Sequence, residues 1–324
     1  MTRGSIRLGR AVGITDTGRR RLRNEDAFVC EPPLFAVADG MGGARAGEIA
    51  ARLAAATLEE GLAEIRDSET LAARIAEANR RIWERSLTDP VTAGMGTTMT
   101  AALVDEATAT VTIAHVGDSR AYLLRDGGLE QLTVDHSLVA ELVESGLLTP
   151  EEAERHPQRS TITRALGTEP TVEVDVRTIE ARPGDLFLLC SDGLPIMVDD
   201  AEVLAILDRA EREPAVAAEA LVAAANARGG EDNVTVVLFE LVEDDAPSQE
   251  ERPAAPPTRQ VEPELGPSPT VAAIAPAQLA SPAAPPPAAL TRHGAGPGGR
   301  GAALTAIVAL VVIAALLLYW SLGR

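Results

Sequence analysis

Lysine is absent from this chain of 324 residues, so all 29 of its basic residues are arginines. This absence excludes a lysine Schiff base and a phosphate-binding loop of the P-loop type, which depends on a lysine. The net charge is −19 at pH 7, which argues against electrostatic binding to nucleic acid. We therefore expect no nucleic-acid partner, and some of the surplus carboxylates are candidates for holding cations.

Cysteine is also scarce, with only Cys30 and Cys190, each beside an apolar stretch. Two thiols make neither a disulfide framework nor a zinc site, so we expect buried free thiols in a reducing compartment. The N-terminal segment lacks the apolar core of a secretory signal peptide. Aromatic residues are few, but apolar residues make up 46% of the chain, which is enough for a sizeable core.

Composition divides the chain into three parts, of which residues 1–242 form the first domain. Residues 243–301 are rich in proline and alanine and predict a disordered linker, because they cannot bury enough apolar surface to fold. Residues 302–322 carry no charge, and about 20 apolar residues in a helix span a bilayer core of about 30 Å. We expect a single-pass protein of the cell membrane with its N-terminal domain in the cytoplasm, because more arginines precede the span than follow it.

Hydrophobic patterning in residues 1–242 predicts clustered strands and paired helices without strict alternation, which favours an α+β fold with antiparallel sheets. The strand-like runs are Leu34–Ala38, Thr98–Val104, Thr110–His115, Ala121–Leu124, Val172–Ile179, Asp185–Cys190 and Val234–Leu241. The helical patterns are Gly47–Ile65, Thr70–Ser86, Leu138–Ser145, Asp200–Arg209 and Pro214–Ala227. Residues 109–133 read as a meander of three strands.

Acidic residues recur at the tips of runs apolar enough to be central strands. They are Glu25 and Asp26, Asp39, Asp192 and Asp232. If these strands are neighbours the carboxylates converge, and they repel each other unless a cation lies among them. Ligation by oxygen alone suits Mg²⁺ or Mn²⁺. An Asp-Gly pair taken alone more often marks a turn, as we expect at Asp126. The prediction of a cation site therefore rests on all of these acidic residues together, in this order.

Several motifs occur in a characteristic order: RLRNEDAF, FAVADGMGG, GTTMTAAL, AHVGDSRAYLL, TRALG, CSDGL and GGEDNVTVV. Together they resemble the metal-dependent serine/threonine protein phosphatases, the type 2C or PPM family, in its bacterial membrane-anchored form. The resemblance covers residues 8 to 242. It implies a four-layer sandwich of two central antiparallel β-sheets flanked by helix pairs, to which the predicted C-terminal transmembrane helix is added.

The resemblance also implies a binuclear Mn²⁺ or Mg²⁺ centre that activates a water molecule. Asp39 would bridge the two ions, and the carbonyl of Gly40 would be a further ligand. Asp192 and Asp232 would ligate one ion directly. The remaining acidic positions of the motif, which would act on the metals or their waters, are Glu25 and Asp26.

Arg21 matches the arginine that grips the substrate phosphate in the family. A guanidinium suits this role because its planar fork binds two oxygens at once. The neighbouring Arg19, Arg20 and Arg23 could form a general basic patch, and surface charge is the simpler interpretation of them.

Two positions depart from the family pattern. Met41 stands where many eukaryotic relatives have a histidine proposed as a general acid, and a thioether cannot donate a proton. Ile196 stands where the family usually has a second aspartate that helps to hold a third metal. Asp118 and Asp192 would have to hold that ion without it, so we expect a weak or empty third site.

We therefore expect a protein phosphatase that hydrolyses phosphoserine and phosphothreonine and opposes serine/threonine kinases in bacterial signalling. Its partners would be phosphorylated proteins, among them kinases and their substrates, and we expect a monomer. Two alternatives stay open: a phosphatase of sigma-factor regulators on the same fold, and a catalytically weak, membrane-tethered binding module. Residues 135–167 resemble the family's variable flap, which we expect to be mobile and to influence substrate choice.

Overall fold

The computed structural model describes residues 5–42, 46–244 and 258–261. The predicted transmembrane helix at 302–322 and most of the predicted linker at 243–301 lie outside these residues. No helix within the described ranges is long and apolar enough to cross a membrane.

Two sheets and six helices make up the described chain. The strands are β1 (Ile6–Asp16), β2 (Asp26–Glu31), β3 (Leu34–Met41), β4 (Gly96–Thr97), β5 (Met99–Asp105), β6 (Thr110–Val116), β7 (Arg120–Arg125), β8 (Gly128–Gln131), β9 (Asp175–Glu180), β10 (Leu186–Cys190), β11 (Val234–Glu243) and β12 (Thr258–Val261). The helices are α1 (Ala46–Glu60), α2 (Ser68–Thr88), α3 (Leu138–Glu144), α4 (Pro150–Glu154), α5 (Asp200–Arg209) and α6 (Pro214–Ala227).

The strand order is β12-β1-β11-β10-β7-β8 in the first sheet and β2-β3-β5-β6-β9 in the second, with β4 beside β3. All pairings are antiparallel except that of β1 with β12. The predicted α+β class with two antiparallel sheets is therefore confirmed. Helices α5 and α6 pack on the outer face of the first sheet, and α1 and α2 pack on the second.

The two sheets bury their inner faces against each other. Successive residues of a strand point to opposite faces, so a strand covered on both sides is apolar on both faces, as β10 and residues Leu34–Ala38 of β3 are. The chain has only four phenylalanines, and all of them belong to this inner layer. The ring of Phe239 stacks on Phe35 at 4.2 Å and on Phe187 at 5.0 Å, so the few aromatics join the two sheets.

The predicted meander over residues 109–133 is wrong, because β6 lies in the second sheet while β7 and β8 lie in the first. The chain crosses between the sheets at Gly117, whose φ is +113°. A Cβ at this position would lie 2.5 Å from the Cβ of Thr98, so glycine allows the close approach at the crossing. The crossing places Asp118 between the two sheets.

Four strands were not apparent in the hydrophobic pattern: β1, β2, the two-residue β4 and β12. β1 and β2 mix exposed and buried positions and contain glycine or charged residues, which weakens their periodicity. β12 falls inside the predicted linker and pairs in parallel with the edge of β1. An edge strand offers unpaired N–H and C=O groups, which explains how a short polar segment can form a strand there.

Candidate metal centre

The two sheets bring acidic side chains to one end of the sandwich. Asp26 begins β2 and lies opposite Asp39 of β3 in the antiparallel register. In the first sheet Cys190 is opposite both Arg120 and Val236, so the segments that follow β10 and precede β7 and β11 meet at one end. These segments carry the other three aspartates, which are Asp118, Asp192 and Asp232.

Asp26 is the most completely held of these carboxylates. It is 7% exposed, and its Oδ2 accepts hydrogen bonds from Ser191 Oγ at 2.8 Å and from Thr235 Oγ1 at 2.6 Å. Thr235 belongs to β11 and Ser191 follows β10, so Asp26 of the second sheet is bonded to the first sheet. The contact joins the two halves of the sandwich at the acidic end.

The backbone of Asp39 is fixed by the threonines that precede β5. Thr97 Oγ1 donates to the Asp39 carbonyl at 2.8 Å, and the Asp39 N–H donates to Thr98 Oγ1 at 3.0 Å. The next residue, Gly40, has no room for a side chain, because a Cβ would lie 2.2 Å from the carbonyl oxygen of Gly47. These contacts set the position of the Asp39 carboxylate and of the glycine peptide.

Burial raises the pKa of these carboxyls, and their mutual repulsion raises it further. The pKa of Asp26 rises to about 6, and those of Asp118 and Asp192 rise to about 7. The pKa of Asp39 lies well above its ordinary value, because of burial first and then the charges of Asp26 and Asp192. A nearby cation reverses this effect by favouring the charged forms.

Three carboxylate oxygens at this end are buried without a hydrogen-bond partner: Asp26 Oδ1, Asp118 Oδ1 and Asp192 Oδ1. Buried polar atoms of native proteins nearly always have a partner, so these oxygens need explanation. Divalent cations with oxygen preference would supply it, since each would coordinate several of these atoms. The donor set therefore fits Mg²⁺ or Mn²⁺, with no imidazole or thiolate involved.

Among the described residues, no three His, Cys, Asp or Glu side chains are already arranged to hold an ion. Asp39 instead lies close enough to Asp26 and Asp192 for their charges to raise its pKa. Arg21 Nη2 donates to Asp232 Oδ2 at 2.6 Å. A cation among these carboxylates would favour their charged forms and could replace the arginine as the partner of Asp232.

Glu25 and Arg21 lie at the rim of this end. The pKa of Glu25 is raised by partial burial, and Arg21 lowers it in part. The structure thus brings together every residue predicted for the site, which are Arg21, Glu25, Asp26, Asp39, Gly40, Asp118, Asp192 and Asp232.

Asn233 is a site residue that the sequence analysis missed. It is 3% exposed, and its Nδ2 donates to the carbonyls of Thr17 and Arg23, both at 2.9 Å. Its Oδ1 accepts from the Glu25 N–H at 2.8 Å. One amide thus holds both ends of the segment that carries Arg21. The available signal was a polar residue between Asp232 and an apolar strand.

Thr235 and Ser191 were missed for a related reason, since each looks like an ordinary residue of a buried strand or its end. The available signal was a hydroxyl within a run apolar enough to be central, where an unpaired hydroxyl is costly. Such a group must have a partner, and here the partner is Asp26.

The expected flap at residues 135–167 carries α3 and α4 and is tied down at its base. His136 Nδ1 accepts from the Gly117 N–H at 2.9 Å, so its Nε2 carries the proton and donates to Asp175 Oδ2 at 3.1 Å. Arg164 Nη1 donates to Asp175 Oδ1 at 2.6 Å. One carboxylate of β9 therefore binds the beginning and the end of the flap.

Comparison with known proteins gives a consistent set of similarities. Residues 17–224 match the family model described as protein phosphatase 2C. The serine/threonine phosphatase stp of Listeria welshimeri is 43% identical over 238 residues, which cover 70% of this chain and 93% of that protein. The serine/threonine protein phosphatase PstP of Mycobacterium tuberculosis is 44% identical over 238 residues, which cover 71% of this chain and 45% of that protein.

Solved structures resemble the chain over the same region. The crystal structure of the Mycobacterium tuberculosis phosphatase PstP/Ppp has a TM-score of 0.68 and 42% identity, and covers 73% of this chain and 100% of that one. The catalytic domain of PstP in complex with two manganese ions has a TM-score of 0.67 and 40% identity, and covers 74% of this chain and 100% of that one.

Proposed function

Since this chain belongs to the protein phosphatase 2C family, we propose that it is a protein serine/threonine phosphatase that hydrolyses phosphoserine and phosphothreonine. The observation that carries this conclusion is the buried group of aspartates with three unpartnered oxygens beside Arg21. The names of the relatives from Listeria and Mycobacterium agree with it. Its substrates are phosphorylated proteins.

Mn²⁺ or Mg²⁺ is the cofactor that suits this donor set, and a relative's catalytic domain was solved with two manganese ions. Asp39 would serve both ions, the Gly40 carbonyl would be a further ligand, and Asp192 and Asp232 would hold one ion. Glu25 and Asp26 would act on the ions or their waters. When bound, two such ions lower the pKa of water and offset the negative charge of the phosphate.

Other side chains of the site bind the phosphate and hold Asp26 in position. Arg21 binds the phosphate, because its planar guanidinium, which now donates one hydrogen bond through Nη2 to Asp232, can donate to two phosphate oxygens at once. The hydroxyls of Ser191 and Thr235 keep Asp26 in place and favour its charged form. Met41, at the end of β3, offers no proton, so the leaving oxygen must take its proton from water or from another group.

A comparison of two aspartate variants tests this function. Asp39→Asn removes the bridging carboxylate and should abolish the hydrolysis of p-nitrophenyl phosphate and of a phosphothreonine peptide in Mn²⁺, as EDTA should in the unchanged protein. Asp126→Asn is the matched control, because Asp126 lies in an Asp-Gly turn at φ +51° and is 87% exposed. Asparagine tolerates this conformation, so activity should be retained.

No turnover by the unchanged protein at any concentration of Mn²⁺ or Mg²⁺ would favour the binding module. Selective hydrolysis of a phosphorylated sigma-factor regulator would favour the other alternative. Neither alternative is favoured by the named relatives.

A third cation site would rest on Asp118 and Asp192 without help from position 196. Asp118 Oδ1 is buried and unpartnered, which supports a cation near it, but Ile196 supplies no ligand. We propose that this site is weak and limits turnover. Ile196→Asp should raise activity at low Mn²⁺, and an unchanged Mn²⁺ titration would count against the proposal.

Membrane attachment through residues 302–322, with the catalytic domain in the cytoplasm, is proposed from the sequence alone. Kinases of the same membrane are proposed partners for the same reason. A chain ending at Arg300 should leave the membrane fraction of expressing cells, and its retention there would refute the attachment.

A further inference from the structure

The segment 19–23, here called the arginine loop, carries four arginines and no acidic residue in a chain of net charge −19. Its backbone is fixed at both ends. The N–H groups of Arg19 and Arg20 both donate to the Gly230 carbonyl, at 2.7 and 3.2 Å. The carbonyl of Arg23 accepts from Asn233. The loop is therefore anchored to the segment that carries Asp232.

The side chains of the arginine loop have different partners. Arg19 forms an ion pair with Asp16 at 3.2 Å, and Arg21 forms one with Asp232. Arg20 and Arg23 are exposed and form no ion pair with any described residue. The charge of Arg23 does lower the pKa of Glu25 slightly from a longer distance. Leu22 is 97% exposed, the largest value among the exposed large apolar side chains of the described residues.

This arrangement has no evident role in stabilising the fold. Adjacent like charges repel, and a fully exposed leucine buries nothing. The position is what distinguishes the loop, since Arg20 and Leu22 are the immediate neighbours of the arginine assigned to the phosphate. A phosphorylated residue held by Arg21 brings its own flanking residues within reach of these side chains.

We propose that Arg20 and Arg23, with Leu22 between them, bind the residues that flank the phosphorylated serine or threonine and select acidic flanking sequences. This proposal rests on the proposed function and on the assignment of Arg21. An extended peptide advances about 3.3 Å per residue, close to the spacing of about 3.8 Å between neighbouring Cα atoms of the loop. The two arginines therefore reach positions within about two residues of the phosphorylated one.

Charge explains why the flanking residues would be acidic. Guanidinium groups bind carboxylates through two parallel hydrogen bonds, and the two unpaired arginines are available for them. The rest of the protein repels an acidic peptide, so a local positive surface beside the site is needed to admit one. Because the arginines are exposed, dissolved salt screens their charges, with a Debye length of about 8 Å at physiological ionic strength. Added salt should therefore weaken the preference for acidic peptides.

Three phosphothreonine peptides of equal length test the proposal, with glutamate, alanine or lysine at the two positions on each side. With the full chain in Mn²⁺, we expect kcat/KM for the glutamate peptide to exceed that for the lysine peptide roughly tenfold at low salt. The double variant Arg20→Ala/Arg23→Ala should reduce this ratio to about 1. Arg209→Ala, which removes an exposed arginine of α5, should keep the ratio of the unchanged protein.

A charge-reversal variant distinguishes a change in peptide selectivity from a loss of activity caused by misfolding. Arg20→Glu/Arg23→Glu should favour the lysine peptide, an outcome that misfolding cannot produce. Equal kcat/KM for the three peptides in the unchanged protein, or the same ratio in the double alanine variant, would overturn the proposal. Hydrolysis of p-nitrophenyl phosphate, which has no flanking residues, separates these results from failure of the proposed function, in which no substrate would be turned over.

Discussion

A chain of side-chain hydrogen bonds leads from Asn24, which follows the arginine loop, to the buried carboxylate of Asp26. Asn24 Nδ2 donates to Thr15 Oγ1 at 2.7 Å, and the Thr15 and Thr235 hydroxyls lie 2.7 Å apart. The Thr235 proton is committed to Asp26, so the Thr15 hydroxyl donates to Thr235. Each donor of the chain thereby favours the charged form of Asp26, the form that a cation needs.

Thr235→Val removes one link of this chain without changing its volume much. The pKa of Asp26, already raised by burial, should rise further because the charged form loses a hydrogen bond. We expect the Mn²⁺ concentration for half-maximal activity to rise roughly tenfold, since a hydrogen bond to a charged group contributes about 1.5–3 kcal/mol. Titration of Mn²⁺ against the rate on p-nitrophenyl phosphate measures this.

Thr112→Val is the control for this change. Thr112 is buried in β6 and shares its hydroxyl with Thr178 at 3.0 Å. Its loss should affect stability but leave the Mn²⁺ requirement where it was. Equal Mn²⁺ requirements in both variants would show that the Thr235 hydroxyl does not act on the site.

The sequence was sufficient to predict which acidic residues meet at one end of the sandwich, because each aspartate lies at the tip of an apolar run or within one of the family's motifs. It was not sufficient to identify Asn233, whose role depends on three backbone groups from a segment about 210 residues away. Such partners become neighbours only once β1 and β11 pair. Hydrogen-bond geometry of this kind is a property of the folded chain.

At the scale of elements, helix boundaries were predicted well where capping and burial agree. The predicted bounds of α5 and α6 coincide with the structure. α5 begins after Asp199, which accepts a hydrogen bond from the Glu202 N–H, and α6 begins with Pro214. The crossing at Gly117 was not predictable from periodicity, because β6 and β7 have the same pattern whether they pair or separate.

The two hydrogen bonds by which Asp175 holds both ends of the flap, here called the flap clamp, can be tested. Asp175→Asn keeps the size of the side chain but removes the charge that holds both His136 and Arg164. Asp175 is 49% exposed, so the loss of stability should be at most about 1 kcal/mol. We expect instead that trypsin cuts faster at Arg155 and Arg159, which lie in the flap, and that KM for peptides rises more than KM for p-nitrophenyl phosphate.

Glu173→Gln controls for the change of charge beside the flap. The Glu173 side chain is exposed, and only its carbonyl contacts Arg164, at 3.4 Å. Cleavage in this variant should match the unchanged protein. If Asp175→Asn is cut no faster than Glu173→Gln, the clamp does not control the flap.

At the scale of the whole domain, the buried carboxyls make stability depend on pH and on cations together. The folded pKa values of about 6 for Asp26 and about 7 for Asp118 and Asp192 lie above the value of about 3.9 for an unfolded aspartate. Between about pH 4 and 7 these three carboxyls therefore bind more protons in the folded, cation-free protein than in the unfolded chain. Their contribution to the free energy of unfolding falls as the pH rises through this range.

Scanning calorimetry in EDTA should therefore give a Tm that falls from pH 5 to pH 7.5. Mn²⁺ binds the deprotonated carboxylates of the folded state, so the rise in Tm on adding Mn²⁺ should be larger at pH 7.5 than at pH 5. Asp192→Asn removes one of the titrating groups and should make the fall in EDTA less steep. A Tm in EDTA that rises with pH equally in both proteins would contradict the linkage. The pH dependence would then come from groups outside the acidic end of the sandwich.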